Sequence, residues 1–275
     1  MTGLSRHVPV GSSLGDHVVC DLLDADRTSD VIRRASPDVV IHTQALSDVD
    51  RCELEPEQAK AQNVTTTAHL VQALGGRNAL FVYISTDYVF DGAGRSPYRE
   101  SDQPNPLSTY GHTKLEGEQQ ALALPGGVVV RPSTLFGPGR NNFCDTIVHA
   151  AQERRTVEAF ADQTTSPTYT EDAAEVIAAL IALLGRSPQP ERLPRVYHVA
   201  NAVGCTRAAF AYRVMDFLGC SRDLVRPIRM SDQGRAARRP PYSVLATENF
   251  RTIGRTLRPW DDALEAYLRQ RHWLT

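Results

Sequence analysis

The sequence predicts an α/β fold, a doubly wound parallel sheet with a smaller C-terminal lobe, and three observations carry that expectation. Short apolar runs alternate with helical patterns through the first two thirds of the 275 residues. The runs are nearly continuous in apolar, mostly β-branched residues rather than alternating, which marks strands covered on both faces. After Arg131 the breakers Pro132, Gly137, Pro138 and Gly139 change the character of the chain.

Taken in order, Val18-Val19-Cys20, Val39 to His42, Leu80 to Ile84 and Val128-Val129-Val130 read as strands. Between them Asp26 to Ala35, Pro56 to Leu74 and Tyr110 to Leu124 read as helices, the second with Leu70, Val71 and Leu74 on one face. Repeated strand-helix-strand units imply an open sheet with right-handed crossovers. Farther on, a helix opens at Asn141 and runs through about Glu153, followed by a strand, Thr156 to Phe160. The helix Thr170 to Leu184 places Glu171 and Asp172 in its first turn, at the positive end of its dipole. Ser187 to Pro194 reads as a Pro-rich loop, Tyr197 to Ala200 as a strand and Arg207 to Leu218 as a helix. Gly234 to Pro241 is an Arg/Pro-rich loop, and Asp261 to Arg269 a terminal amphipathic helix. The expected division is a core over 1–135 and a second lobe over 136–275, with 156–185 and 195–202 returning to the core.

Composition narrows the function classes. A formal charge of −2 gives no broad electrostatic footprint for nucleic acid. The cysteines, Cys20, Cys52, Cys144, Cys205 and Cys220, are scattered without metal spacing and read as reduced side chains. No apolar run is long enough to span a bilayer, and the opening residues carry no signal-peptide core, so a cytoplasmic protein is expected. Arginines cluster at Arg235, Arg238 and Arg239 and at Arg251, Arg255 and Arg258, a pattern that suits either a small anionic ligand or a solvated surface.

Candidate chemistry sits at one rim of the sheet. Ser85 and Thr86 lie just beyond the Leu80 to Ile84 strand, at the carboxyl end where parallel sheets present ligands. Tyr110 and Lys114 are spaced i,i+4 and share a helix face. An ammonium beside a phenol favours the phenolate, so the pair predicts a lowered Tyr110 pKa and proton exchange with a carbonyl or carbinol oxygen. Thr86 is placed to hydrogen-bond the same oxygen.

The ordered elements SPDVVIH (Ser36 to His42), VDRCELEP (Val49 to Pro56), Asn63-Val64, YISTDYVFDG (Tyr83 to Gly92), YRESD (Tyr98 to Asp102), NPLSTYGHTKLEGE (Asn105 to Glu118), RPSTLFGPG (Arg131 to Gly139) and ADQTTSPTYTEDAA (Ala161 to Ala174) carry a resemblance. From about Asp21 onward the chain resembles the extended short-chain dehydrogenase/reductases, in particular the dTDP-4-dehydrorhamnose reductase branch, which also contains the regulatory beta subunit of methionine adenosyltransferase. The resemblance implies a Rossmann-like sheet and an active site of Thr86, Tyr110 and Lys114, with Tyr110 protonating a keto oxygen as a nicotinamide delivers hydride. It implies Ser5, Arg6, Ala45 and Lys114 at the NADP(H) cofactor. On the substrate side it implies Ser85, Asn141, Asn142, Phe143, Asp162, Gln163, Ser166, Pro167, Thr168 and Arg239, the last gripping a diphosphate. No metal site is implied.

One part of the family pattern is missing. The family opens with a strand leading into Gly-x-x-Gly-x-x-Gly, whose amides receive the cofactor pyrophosphate; Gly3, Gly11 and Gly15 have a different spacing. Thr2 to His7 matches the end of the family's second strand and Asp16 to Asp24 its third, so a strand is expected to be absent between the second and fourth, leaving a truncated or rearranged sheet. Gln44 stands where small residues let the cofactor pass, and its side chain either enters that space or turns outward. The leading expectation is an NADP-type reductase of a nucleotide-linked 4-keto-6-deoxysugar. A cofactor-independent enzyme of the same fold (epimerase, lyase or cyclase) and a binding or regulatory subunit stay open, as does pairing into a homodimer.

Overall fold

The structure, a computed structural model, describes residues 1–7, 16–187 and 192–274. The expected loop 187–194 lies partly, and Gly11 and Gly15 wholly, outside the described residues.

Four strands form the central parallel sheet: β3 (Val39–His42), β4 (Leu80–Ile84), β5 (Gly127–Pro132) and β10 (Val196–Val199), in the order β10-β5-β4-β3. Their register pairs Val40 with Phe81, Val82 with Val128 and Tyr197 with Val130. Side chains alternate between two apolar layers, as a doubly covered sheet requires. On one face Phe81, Tyr83 and Val129 pack with Ile32 of α1 (Ala25–Ala35), Leu70 and Leu74 of α4 (Thr66–Leu74) and Ala121 of α5 (Thr109–Ala123). On the other, Val82, Val128, Val130, Tyr197 and Val199 pack against Ala173, Val176 and Leu180 of α7 (Thr170–Arg186).

A second, two-stranded parallel ladder joins β1 (Gly3–Ser5) to β2 (His17–Val19), with Leu4 opposite Val18. Among the described residues no ladder connects β1 to β3, so the break falls between the strands that match the family's second and fourth. Leu4 still packs on the α1/α4 layer. The opposite face is thinly covered there, with Val19 49% and Ile41 42% exposed.

The second lobe is built from short ladders around its own core. β7 (Val157–Phe160) pairs with β12 (Val225–Ile228), and two-residue strands pair as β6 (Leu135–Phe136) with β9 (Thr168–Tyr169) and β8 (Thr164–Thr165) with β11 (Cys205–Thr206). Over them lie α6 (Phe143–Gln152), α8 (Arg207–Phe217) and α9 (Trp260–Gln270), burying Ile147, Val148, Phe210, Val214, Met215, Leu264 and Tyr267 in one cluster. The expectation that 156–160 returns to the core is therefore corrected. β7 finds its partner in β12, a strand whose Pro227 hides it from a propensity reading.

Two helical details also differ from the sequence reading. Val49–Leu54 forms a short α2 capped by Asp48, which accepts from the Arg51 amide at 3.0 Å. The segment 56–74 is interrupted: α3 (Pro56–Lys60) and α4 flank a π-helical turn over Ala61–Thr65, a deformation frequent at functional sites.

α5 lies unusually close to the sheet at Gly117, where an added Cβ would stand 2.1 Å from the Tyr83 hydroxyl oxygen. Gly117→Ala should therefore destabilise the fold by about 1–3 kcal/mol through overpacking, measured by urea unfolding. A variant as stable as the parent would show that the helix has room to move.

Candidate active site

The rim of the sheet is assembled by one face of α5. Ser108 caps this helix, accepting from the Gly111 amide at 3.3 Å, and Glu53 of α2 accepts from the Thr109 amide at 3.0 Å. Tyr110, Lys114 and Glu118 follow at four-residue intervals and all face the sheet. Glu118 is 1% exposed and receives both Nε and Nη2 of Arg131 on β5, at 2.8 and 2.6 Å, and the Ser85 hydroxyl at 2.6 Å. One turn earlier, Lys114 Nζ donates to the Ile84 carbonyl at 2.7 Å and lies 4.1 Å from the centroid of the Tyr83 ring. One turn earlier again, the half-buried Tyr110 meets Thr86, which stabilises its charged form, and Tyr88, edge-on with ring centroids 5.9 Å apart.

Beneath the phenol sits a buried carboxylate. Asp87 accepts from Thr86 Oγ1 at 3.2 Å, Ser133 Oγ at 2.7 Å and Ser243 Oγ at 2.5 Å. Three hydroxyls stabilise it, yet burial dominates and pushes its pKa up. Thr86 Oγ1 gives its proton to Asp87 and accepts from the Tyr88 amide at 3.2 Å, so one lone pair is left for a further donor.

The electrostatics correct one expectation. Tyr110 is not lowered by Lys114 in this conformation: burial pushes the phenol well above its usual range, the nearby Asp87 charge adds to that, and Thr86 only partly offsets it. Lys114 is itself pulled down to about 7 by burial, against the opposing attraction of Glu118. Its ammonium is directed at the Ile84 carbonyl rather than at the phenol.

The remaining candidates separate into groups. Gln163 donates to Tyr88 Oη at 3.3 Å, and Phe143 lies under Arg207 in the same region. Asn141 is exposed, whereas Asn142 caps α6, reaching Gly137 O, Asp145 and Tyr267 Oη. Ser85, Ser166 and Thr168 were expected at the substrate, but their hydroxyls are committed inside the protein. Ser85 donates to Glu118, Ser166 Oγ accepts from the Leu245 amide at 3.1 Å, and Thr168 donates to the Ser166 carbonyl at 3.1 Å. Asp162 accepts from the Met230 amide at 2.9 Å. Arg239 is also corrected. Its guanidinium is held by Asp50 of α2 in a two-bond fork at 3.0 and 2.7 Å, so it ties the late loop to the core instead of standing free for a diphosphate.

On the cofactor side, Arg6, Gln44, Ala45, Leu46, Arg51, Gln58 and Gln62 line a cavity of about 160 Å³. Gln44 turns onto the helix, donating to Gln62 at 2.8 Å and accepting from Thr66 at 3.1 Å. Ser5 is not among the residues lining that cavity, and its hydroxyl meets the His7 carbonyl at 2.5 Å and His17 Nε2 at 2.9 Å. Asn63, within the π-turn, accepts from the Leu46 amide at 2.7 Å and donates to Thr113 at 2.9 Å, joining the loop after β3 to α5. A larger open depression of about 640 Å³, lined by Thr156, Tyr212 and Arg222 among others, contains none of these groups.

Comparison with known proteins decides the family. The model of the RmlD substrate binding domain matches residues 5–272. The chain belongs to this family. It is 36% identical over 249 residues to a dTDP-4-dehydrorhamnose reductase of Streptomyces griseus, covering 89% of this chain and 80% of that protein. It is 33% identical over 236 residues to the spore coat polysaccharide biosynthesis protein SpsK of Bacillus subtilis, covering 86% and 80%. Among solved structures, a dTDP-4-dehydrorhamnose reductase of Clostridium acetobutylicum superposes with a TM-score of 0.85 at 27% identity, over 99% of this chain and 100% of the other. The Bacillus anthracis dTDP-4-dehydrorhamnose reductase, solved in complex with NADP, gives the same TM-score and identity over 98% of both chains. The RmlD-like chain is thus an extended short-chain dehydrogenase/reductase with a Rossmann-like sheet and an oxidoreductase scaffold.

Sequence reasoning missed Glu118, Asp87, Asp50 and Arg207. The signal for Glu118 was present, since it continues the i,i+4 series of Tyr110 and Lys114.

Lys114 gives a pH test. Its native pKa of about 7 lies below the ordinary 10.5, so between those values the unfolded chain binds a proton that the native chain lacks. Stability therefore rises with pH across that window, and the cost of the buried charge is fully present below about 7. Lys114→Met removes the group, so its melting temperature relative to the parent should be highest near about pH 6 and fall steadily toward about pH 10. A difference that stays constant over that range would show that the amine is not depressed.

Proposed function

We propose that the chain is an NADP(H)-dependent reductase of a dTDP-linked 4-keto-6-deoxysugar, acting in the cytoplasm on a small-molecule substrate. The observation that carries the reading is the half-buried Tyr110 phenol, set beside Thr86 and above Asp87 at the rim of a parallel sheet. The relatives' names supply the substrate class, and the Bacillus anthracis complex supports the cofactor.

The residues present fit the two ends of such a cofactor. Arg6 brings a fixed positive charge to a small cavity beside β1 and β3, where it would face a phosphorylated ribose. Lys114, at the opposite end of the rim, would hydrogen-bond the second ribose once its amine leaves the Ile84 carbonyl. Among the described residues no glycine turn leads into a helix between β1 and β3 to receive the central pyrophosphate. When bound, a nicotinamide supplies hydride to the carbonyl carbon.

The chain's own residues manage the proton. The raised pKa keeps Tyr110 protonated at neutrality, as a proton donor must be. Thr86, anchored by Asp87 and the Tyr88 amide, stands beside the phenol and favours its charged form as the proton leaves. As the carbonyl oxygen gains negative charge, Tyr110 gives up its proton to it. Lys114, protonated to about half at neutral pH, then lies on the same helix face to stabilise the phenolate.

Tyr110→Phe should lower turnover by about 10²–10⁴-fold, the range of general acid catalysis, with thermal unfolding unchanged. It is measured by NADPH oxidation with the dTDP-4-keto sugar. Full activity in that variant would remove the mechanism. A separate titration of the parent with NADPH, followed by nicotinamide fluorescence, should saturate in the micromolar range. Turnover without any binding would instead favour the cofactor-independent reading, for which the break between β1 and β3 is the specific support. Pairing into a homodimer, the remaining expectation, is read directly from light scattering.

A further inference from the structure

Most of the cationic side chains around the cleft are neutralised within the protein. Arg239 is forked onto Asp50, whose carboxyl it holds below the usual range. Arg235 shares that carboxylate at 3.6 Å and donates to Gln233. Arg131 is spent on Glu118. Arg207 differs. Among the described residues its guanidinium has no ion pair and no side-chain hydrogen bond, although its backbone amide donates to the Gln163 carbonyl at 3.1 Å.

Its placement is otherwise fixed. The guanidinium lies over the Phe143 ring, 3.9 Å from the centroid, a stacking geometry that removes rotamer freedom before any ligand arrives. Tyr88 lies close enough to favour its charge, and the Tyr88 ring in turn meets Tyr110 edge-on. Two features make this position costly for a cation. Arg207 is the first residue of α8, where the helix dipole is positive, and Arg235 adds like charge from nearby. The buried carboxylate of Asp87 opposes this field at Arg207, but it is held by three hydroxyls rather than by the guanidinium. A half-buried cation that is stacked in place, set against a helix dipole and left without a partner is arranged to receive an anion.

We propose that Arg207, seated on Phe143, is the anion anchor of the substrate cleft and takes a two-oxygen anionic group of the substrate. The inference rests on the reductase reading of the same cleft and deepens it. Arg207 assumes the role that the sequence assigned to Arg239. The shared chemistry is a forked pair of N–H···O⁻ bonds, which a diphosphate on the nucleotide or a carboxylate on the sugar can both accept.

Calorimetry on the purified full chain separates the outcomes, with dTDP, thymidine and glucuronate as probes and NADPH as control. Arg207→Gln should weaken dTDP about 30-fold, within the range of a charge-assisted bond pair, while thymidine and NADPH binding stay as in the parent. Arg207→Lys, which keeps charge and bulk, should fold like the parent yet bind dTDP about 5-fold more weakly, because an ammonium cannot make the fork. Unchanged dTDP binding with weakened glucuronate binding would assign the anchor to a sugar carboxylate. If the parent binds dTDP or glucuronate and both variants bind them equally well, the anchor is overturned while the reductase reading stands. A parent that binds neither probe overturns the anchor and the nucleotide-sugar reading together.

Discussion

The buried pair between Glu118 and Arg131 is the constraint on which the site depends. Both side chains are under 5% exposed, and Ser85 completes the carboxylate's contacts. Removing one partner of such a pair leaves an uncompensated charge, at a cost of about 3–5 kcal/mol. The geometric consequence matters more than the energy. The pair fixes α5 against β5 and the end of β4, and Tyr110 lies two turns along the same helix face. Gly117 and Gly111 permit the close approach, since a Cβ at Gly111 would meet the Tyr88 carbonyl oxygen at 2.3 Å. The phenol is thus positioned by a rigid strand and a rigid helix rather than by loops.

The two lobes are joined across this rim by two carboxylates of different kinds. Asp87 gathers Ser133, at the end of β5, and Ser243, from the late loop, through short hydrogen bonds from uncharged hydroxyls. Asp50 gathers Arg239 and the Ala237 amide through ionic ones. The first is buried, so it is insensitive to salt. The second is partly exposed, so screening weakens it.

Local rules made the core strands and the α5 site legible. Leu80 to Ile84 and Val128 to Val130 are too apolar to be anything but doubly covered strands, and the Tyr110, Lys114 spacing exposes a shared helix face. What was hidden depended on long-range partners. β12 contains Pro227 and is a strand only because β7 lies beside it. Arg239 looked free in sequence because Asp50 is far along the chain, and Arg207 looked like an ordinary helix residue because its missing partner is visible only in space. The Tyr110 pKa was misjudged for a related reason. Spacing shows that two groups are near, while burial, which dominates here, is a property of the whole fold.

The break between β1 and β3 bears unequally on the two halves of the proposed chemistry. Tyr110, Thr86, Lys114 and Glu118 take their positions from β4, β5 and α5, none of which contacts the β1–β2 ladder through a strand pairing. The proton-transfer half is therefore built independently of the break. Cofactor affinity is not, because the dinucleotide would have to bridge from Arg6 beside β1 to Lys114 across an edge of β3 that no strand among the described residues pairs. Such a division places any cost of that break in binding rather than in the proton step. Asn63, which links the loop after β3 to Thr113 on α5, and Glu53, which holds the Thr109 amide, connect the two halves directly.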